Sequence, residues 1–418
     1  MYKKTVLDNS IRIVTEKLPS RLISIGVWVD VGSRDEDDLT NGIAHFAEHM
    51  FFKGTRFRSA YQIAKELDVL GGMSNAFTST EHTCFYITVL DSQLTKAVDL
   101  LADIFLDSVF SQEEIDRERQ VILQEIAMVE DTPDDKIHEL FTSLFWQGNS
   151  LANTVLGKRE VVEGLDSKSL REYVRGHYGA DRIIVSAAGN VDHQLFTELW
   201  RDRLAGVPRA DSSLTKRQLP AAGVVSGAEI VERPLEQAHM VTGTRGLAIN
   251  SDDRYKLLLL NVLLGGNMSS RLFQEIREKR GLAYSIYSYL SSSSDCGYLA
   301  VYLGVAPSSF SEAIGLIDDE FVRLQEGGIT AEELAGAADY ARGGVYLASE
   351  NMEVRMTSLA RNEYSFGRYV SIEDVVGGID RVRPGEIVQL AGELFAQERR
   401  PLAVIGPISD KEIQQVTG

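Results

Sequence analysis

His45, Glu48 and His49 fall within five positions of an otherwise apolar stretch, NGIAHFAEHMFFKGT, residues 41–55. On a helix, positions i and i+4 stack one turn apart on one face, so both imidazoles can reach a single ion. Glu48 shares that side and can address a water on the ion without being a ligand. A catalytic zinc takes three protein ligands and leaves its fourth position to water, so a third ligand has to come from elsewhere. The competing reading is a pair of satisfied core histidines.

The segment EEIDRERQVILQEIAMVED, residues 113–131, is the best supplier of that ligand. Glu118 and Glu125 are seven apart, nearly two turns, and share a helix face. Val121 and Ile122 between them mark the face as partly buried. A solvated acidic helix is the alternative, and Glu113 and Glu114 in the first turn fit it.

The elements that must position these residues occur twice. DRIIVSAAGNVDH (181–193) parallels RPLAVIGPISD (400–410), and EHTCFYITVL (81–90) parallels DCGYLAVYLG (295–304). SQEEIDRERQVI (111–122) echoes TAEELAGAADYA (330–341), each opening a helix on a Ser or Thr cap followed by acids. The histidine segment aligns with INSDDRYKLLLLNVLLGGNMSS (249–270), which places Leu260, Leu263 and Leu264 opposite His45, Glu48 and His49. Ala337 and Gly344 stand opposite Glu118 and Glu125. The second copy shows the helix when only packing matters, and this weakens the core-histidine reading.

Strands are expected near 11–16, 22–30 and 83–90, and helices near 41–53, 60–70, 93–107, 111–130 and 167–175. The fold class is α+β: a tandem duplication of two similar domains, each a mainly antiparallel sheet packed with helices. The divisions are 1–206 for the metal-binding domain, 207–227 for a linker rich in Pro, Gly and Ser, and 228–418 for a homologous domain that binds no metal.

The 418 residues, 44% hydrophobic and 25% charged, suit a two-domain globular protein. A net charge of −18 argues against nucleic acid and favours basic ligands if the acid lines a cavity. Cys84 and Cys296 form no metal-ligand spacing and suit a reducing compartment. No targeting segment and no membrane span are expected. The expected location is the cytoplasm, or the mitochondrial matrix for a eukaryotic chain whose presequence is absent.

The stretches HFAEHMFFKGT, SNAFTSTEHTCFY, ERQVILQEI and SSRLFQEIREKRGLAYSIYS resemble the pitrilysin-like metallopeptidases, the inverted-zincin family that includes mitochondrial processing peptidase. The resemblance covers almost the whole chain, at the size of the shorter two-domain members. It implies one zinc per chain, held by His45, His49 and Glu125, with Glu118 supporting the ligands and Glu48 as general base. It implies that Arg277 and Tyr284 serve the site from the second half, the arginine holding substrate backbone and the tyrosine stabilising the oxyanion. Asn75, Ala76 and Phe77 match the substrate-binding edge strand, where an extended peptide adds by β-augmentation. His82 is a further candidate substrate contact. The short LLGGNMSSRL (263–272) replaces the long glycine-rich loop of the non-catalytic mitochondrial partner, which places the chain with the catalytic type or with self-sufficient bacterial members.

The function expected is zinc-dependent endopeptidase action on unfolded or short peptides, basic or presequence-like ones included. The reaction chamber would close by pairing of domains or chains, as a homodimer or with a homologous chain. Two rivals are a non-catalytic assembly subunit of the same family and a closed structural or storage metal site, for which His82 is the candidate fourth ligand.

Overall fold

The computed structural model describes residues 1–210, 217, 227–396 and 400–409. Most of the expected linker, 211–216 and 218–226, lies outside the described residues. Two compact units are present. The first gathers the described residues of Met1–Met128, Asn153–Gln218 and Leu347–Val370, and the second those of Val129–Ala152, Leu219–Tyr346 and Ser371–Gly418.

In the first unit, strands β1 (Tyr2–Val6), β2 (Arg12–Lys17), β3 (Leu22–Val29), β4 (Met73–Thr78), β5 (Thr83–Leu90) and β6 (Ile183–Gly189) form one sheet. Their order is β1-β2-β6-β3-β5-β4, antiparallel throughout except for the β2–β6 pair. β3 is apolar on both faces because the sheet is covered on both. Ile23, Ile25, Val27 and Val29 point into the main core, while Trp28 points the other way, as the two-residue period of a strand requires. On that second face Trp28, Cys84, Tyr86 and Ile184 meet Met356, Leu359 and Ala360 of the helix Met352–Phe366. Gly26 makes this approach possible, since a Cβ there would sit 2.4 Å from Met356 Sδ.

The second unit holds β7 (Ala228–Glu232), β8 (Ala238–Arg245), β9 (Ala283–Ser292), β10 (Gly297–Val305) and β11 (Leu402–Gly406). Their order, β7-β11-β8-β10-β9, with β7 and β11 parallel, repeats β2-β6-β3-β5-β4 strand for strand. The helix Pro133–Phe145 covers one face, with Ile137, Phe141 and Phe145 against Val241, Tyr298, Ala300 and Ile405.

Two tandem copies of one α+β domain account for both sheets, as the repeats predict. The packing departs from the divisions at 206 and 228 in two segments. Pro133–Phe145, from the first copy, covers the second sheet, and Met352–Phe366, from the second copy, covers the first. Each helix follows its copy's long acidic helix, so the exchange is reciprocal. A sheet apolar on both faces needs a layer on each, and here the second layer comes from the other copy.

Candidate metal centre

The histidine helix, Ile43–Phe51, starts under unusual constraint. Its N-cap Gly42 has φ +99°, and a Cβ there would lie 2.9 Å from the Gly157 Cα. No side chain at the N-cap satisfies the first backbone N–H groups. Glu36 does so instead. Its Oε1 accepts from Ala44 N at 2.8 Å, and its Oε2 accepts from Gly42 N at 2.8 Å and Asn41 Nδ2 at 2.9 Å. Burial pushes this carboxyl up to about 8, against the pull of the three donors.

One turn into the helix, His45 and His49 present their Nε2 atoms to each other at 3.2 Å. The glutamate helix, Gln112–Asp131, brings Glu125 Oε2 to 3.8 Å from His45 Nε2 and 3.7 Å from His49 Nε2. Among the described residues, these three form the one group of metal-capable side chains whose ligand atoms all lie within 4.8 Å of one another. A tetrahedral zinc with ligands at about 2.0–2.1 Å holds its ligand atoms about 3.3 Å apart, so the spacing suits one ion. Glu125 Oε2 and His45 Nδ1 are buried with no hydrogen-bond partner. An anionic oxygen and two imidazole nitrogens converging on one point fit a cation there.

Glu118 Oε1 accepts from His49 Nδ1 at 2.9 Å, and its Oε2 accepts from Lys53 Nζ at 2.6 Å. With its proton on Nδ1, His49 turns the lone pair of Nε2 toward the ion position. Burial works against the charge of Glu118, but the His49 and Lys53 hydrogen bonds outweigh it and hold the carboxyl below its usual range. Burial, with His49 adding to it, pushes His45 down to about 3. For His49 burial is overcome by the Glu118 hydrogen bond and the neighbouring carboxylates, and its pKa rises.

Glu48 is buried and does not join the ligand group. Its Oε2 accepts from Thr78 Oγ1 at 2.7 Å, which ties it to the end of β4. Burial raises its pKa, with the Thr78 hydrogen bond and His49 opposing.

β4 is the last strand of its sheet among the described residues, paired on one side with β5. Asn75, Ala76 and Phe77 lie opposite Tyr86, Phe85 and Cys84 in that register. Asn75 and Phe77 are exposed, and Phe77 packs edge-on to Trp28. His82 stands apart from the ligand group, its Nδ1 3.5 Å from Asp30 Oδ1 and its ring stacked on Tyr364. Among the described residues no fourth side chain joins the ligand group.

Arg277 and Tyr284 belong to the second unit. Arg277 lies on a π-helical turn, Phe273–Glu278, with its guanidinium 4.7 Å from the Phe273 ring centre and 5.0 Å from that of Tyr284. Tyr284, at the start of β9, is 79% exposed, which leaves its hydroxyl available to a ligand.

Three residues at the centre escape sequence reasoning. Lys53 follows His49 at i+4, a spacing that could have revealed it. Glu36 and Thr78 carry no comparable local signal, because each meets its partner only through tertiary structure.

An H-x-x-E-H segment such as His45–His49 is the signature of the inverted-zincin metallopeptidases. A family profile described as insulinase (peptidase family M16) matches residues 12–159, and one described as the peptidase M16 inactive domain matches residues 164–340. An uncharacterized zinc protease of Streptomyces coelicolor is 40% identical, covering 99% of this chain and 91% of the relative. The uncharacterized zinc protease YmxG of Bacillus subtilis is 37% identical, covering 97% and 98%. The crystal structure of a protease from Helicobacter pylori shares the fold, with a TM-score of 0.89 at 22% identity over 97% of this chain and 99% of that one. The chain belongs to the M16 peptidase family. No helix among the described residues is long and apolar enough to cross a membrane.

Proposed function

We propose that this protein is a zinc endopeptidase acting on unfolded or short peptides, with one zinc per chain held by His45, His49 and Glu125. The observation that carries the reading is the buried, partnerless Glu125 Oε2 facing two imidazole nitrogens, with a separately tethered Glu48 on the same helix as those imidazoles. Bound zinc supplies a Lewis acid that lowers the pKa of its water and polarises the peptide carbonyl.

The chain's own residues do the rest. Glu118 holds His49 in the tautomer that offers Nε2. Glu48 takes the proton of the attacking water and delivers it to the leaving amine. The free edge of β4 at Asn75, Ala76 and Phe77 pairs with an extended peptide through main-chain hydrogen bonds, giving affinity without strong sequence preference. His82 is a further substrate contact. Tyr284 donates to the developing oxyanion and Arg277 holds the substrate backbone.

The net charge of −18 favours basic substrates, including presequence-like segments. A chamber closed by pairing with a second copy or a homologous chain would select unfolded chains, and the cytoplasm is the location proposed.

The test is metal dependence. A quenched, arginine-containing peptide of about 20 residues is too short to fold stably and suits the assay. Turnover should vanish on chelation and return as about one zinc per chain is restored. His45→Ala and Glu125→Ala should lose zinc and activity together. Undiminished cleavage by protein shown to be free of metal would overturn the proposal.

A further inference from the structure

Glu118 is a single carboxylate gripped by two donors from one end of the histidine helix. Its Oε1 takes His49 Nδ1 at 2.9 Å and its Oε2 takes Lys53 Nζ at 2.6 Å. The Glu118 side chain is 9% exposed and that of Lys53 31%, so the pair is largely shielded from water. Each oxygen is committed to a different donor, which favours one orientation of the carboxylate. From this geometry we infer that Lys53 is a positioning residue of the metal centre, acting through Glu118. The inference rests on the zinc reading above.

Two consequences for the ligands follow. Lys53 fixes which way Glu118 points, and Glu118 in turn fixes the His49 ring that must offer Nε2. Lys53 also anchors the glutamate helix at Glu118, about two turns before the point where Glu125 reaches the same ion. Without the ammonium, Oε2 would be a shielded anionic oxygen with no donor, an arrangement costly enough to swing the carboxylate away. His49 would then lose its orienting partner, and the helix bearing Glu125 would lose one anchor.

The chain contains its own control. Lys53 aligns with Met268 in the second copy, at the register that sets Leu264 opposite His49, and Glu118 aligns with Ala337. The second copy keeps both helices, Arg254–Leu264 and Ala331–Ser349, without the lysine or the carboxylate. The pair is therefore not a requirement for building these two helices. The second copy lacks it, as it lacks the metal ligands.

The experiment is zinc affinity of the full chain by competition with a chelator, in wild type, Lys53→Met, Lys53→Arg, Glu118→Gln and the Lys53→Met/Glu118→Gln double variant. Partners of metal-bound histidines typically matter by 10–100-fold in metal affinity. Lys53→Met should weaken zinc binding about 10-fold, and Lys53→Arg, which keeps the charge, should recover most of that. Glu118→Gln should weaken binding by about 10–100-fold, and adding Lys53→Met to it should cost less than about 2-fold more. The Tm of zinc-free Lys53→Met should stay within about 2 °C of wild type, which separates positioning from loss of fold. Wild-type affinity in Lys53→Met, or an undiminished loss in the Glu118→Gln background, would overturn the inference. A wild type that binds no zinc would overturn the functional reading instead.

Discussion

A carboxylate oxygen buried without a donor is costly, and Glu125 Oε2 is such an atom, held near two imidazole nitrogens that offer it no hydrogen bond. A cation relieves that cost, and Glu48 lies outside the ligand group. Thr78 sets where Glu48 points, through its 2.7 Å hydrogen bond to Glu48 Oε2. Thr78→Val should lower kcat about 10-fold with zinc content unchanged, because a misdirected base loses part of the 10²–10⁴-fold that such catalysis contributes. Steady-state kinetics with metal analysis checks this; an unchanged kcat would mean the hydroxyl is only structural. At this scale the sequence was most informative where helical period alone places side chains, as for His45, Glu48 and His49. Thr78 was illegible because its contact exists only once β4 lies against the histidine helix.

At the level of elements, the histidine helix depends on a cap from outside itself. Glu36, six residues before Gly42, accepts the two N–H groups that the glycine N-cap cannot serve. Glu36→Ala should destabilise the chain by about 2 kcal/mol and weaken zinc binding, since the lost acceptor frees the turn that carries His45. Urea unfolding and chelator competition measure the two effects, and a normal urea midpoint would show that water replaces the carboxylate. Most elements stand close to where periodicity puts them, as with Ala60–Leu70 and Thr83–Leu90. The helix Pro133–Phe145 is absent from the expected elements although its signals are present: Pro at the first position, Asp134 and Asp135 in the first turn, and Ile137, Phe141 and Phe145 at i+4 spacing. Its exchange with Met352–Phe366 leaves no local trace, since an apolar stripe does not say which sheet it covers.

For the molecule as a whole, the duplication was legible because matching strands kept their composition, and the sheets repeat each other's strand order. The histidines set a global acid response. Six of the seven, His45, His82, His138, His177, His193 and His239, have pKa values lowered first of all by burial. Below about pH 6.5 the unfolded chain binds protons that the folded chain refuses, so stability falls as pH drops. Glu36, Glu48 and His49, all raised, act in the opposite sense, with three groups against six. The urea midpoint of the zinc-free protein should therefore be lower at about pH 5.5 than at about pH 7. An equal or higher midpoint would contradict this balance.

The proposed function stands or falls on zinc at the centre and on Glu48, outside the ligand group, as its base. Cleavage of the quenched peptide by wild type and Glu48→Gln, with zinc measured in both, tests it most directly. The expected result is equal zinc in the two proteins and turnover lower by at least about 10²-fold in Glu48→Gln. Equal turnover at equal zinc would remove Glu48 from the chemistry, and zinc-loaded wild type without turnover, alone or paired, would leave the assembly-subunit reading in its place.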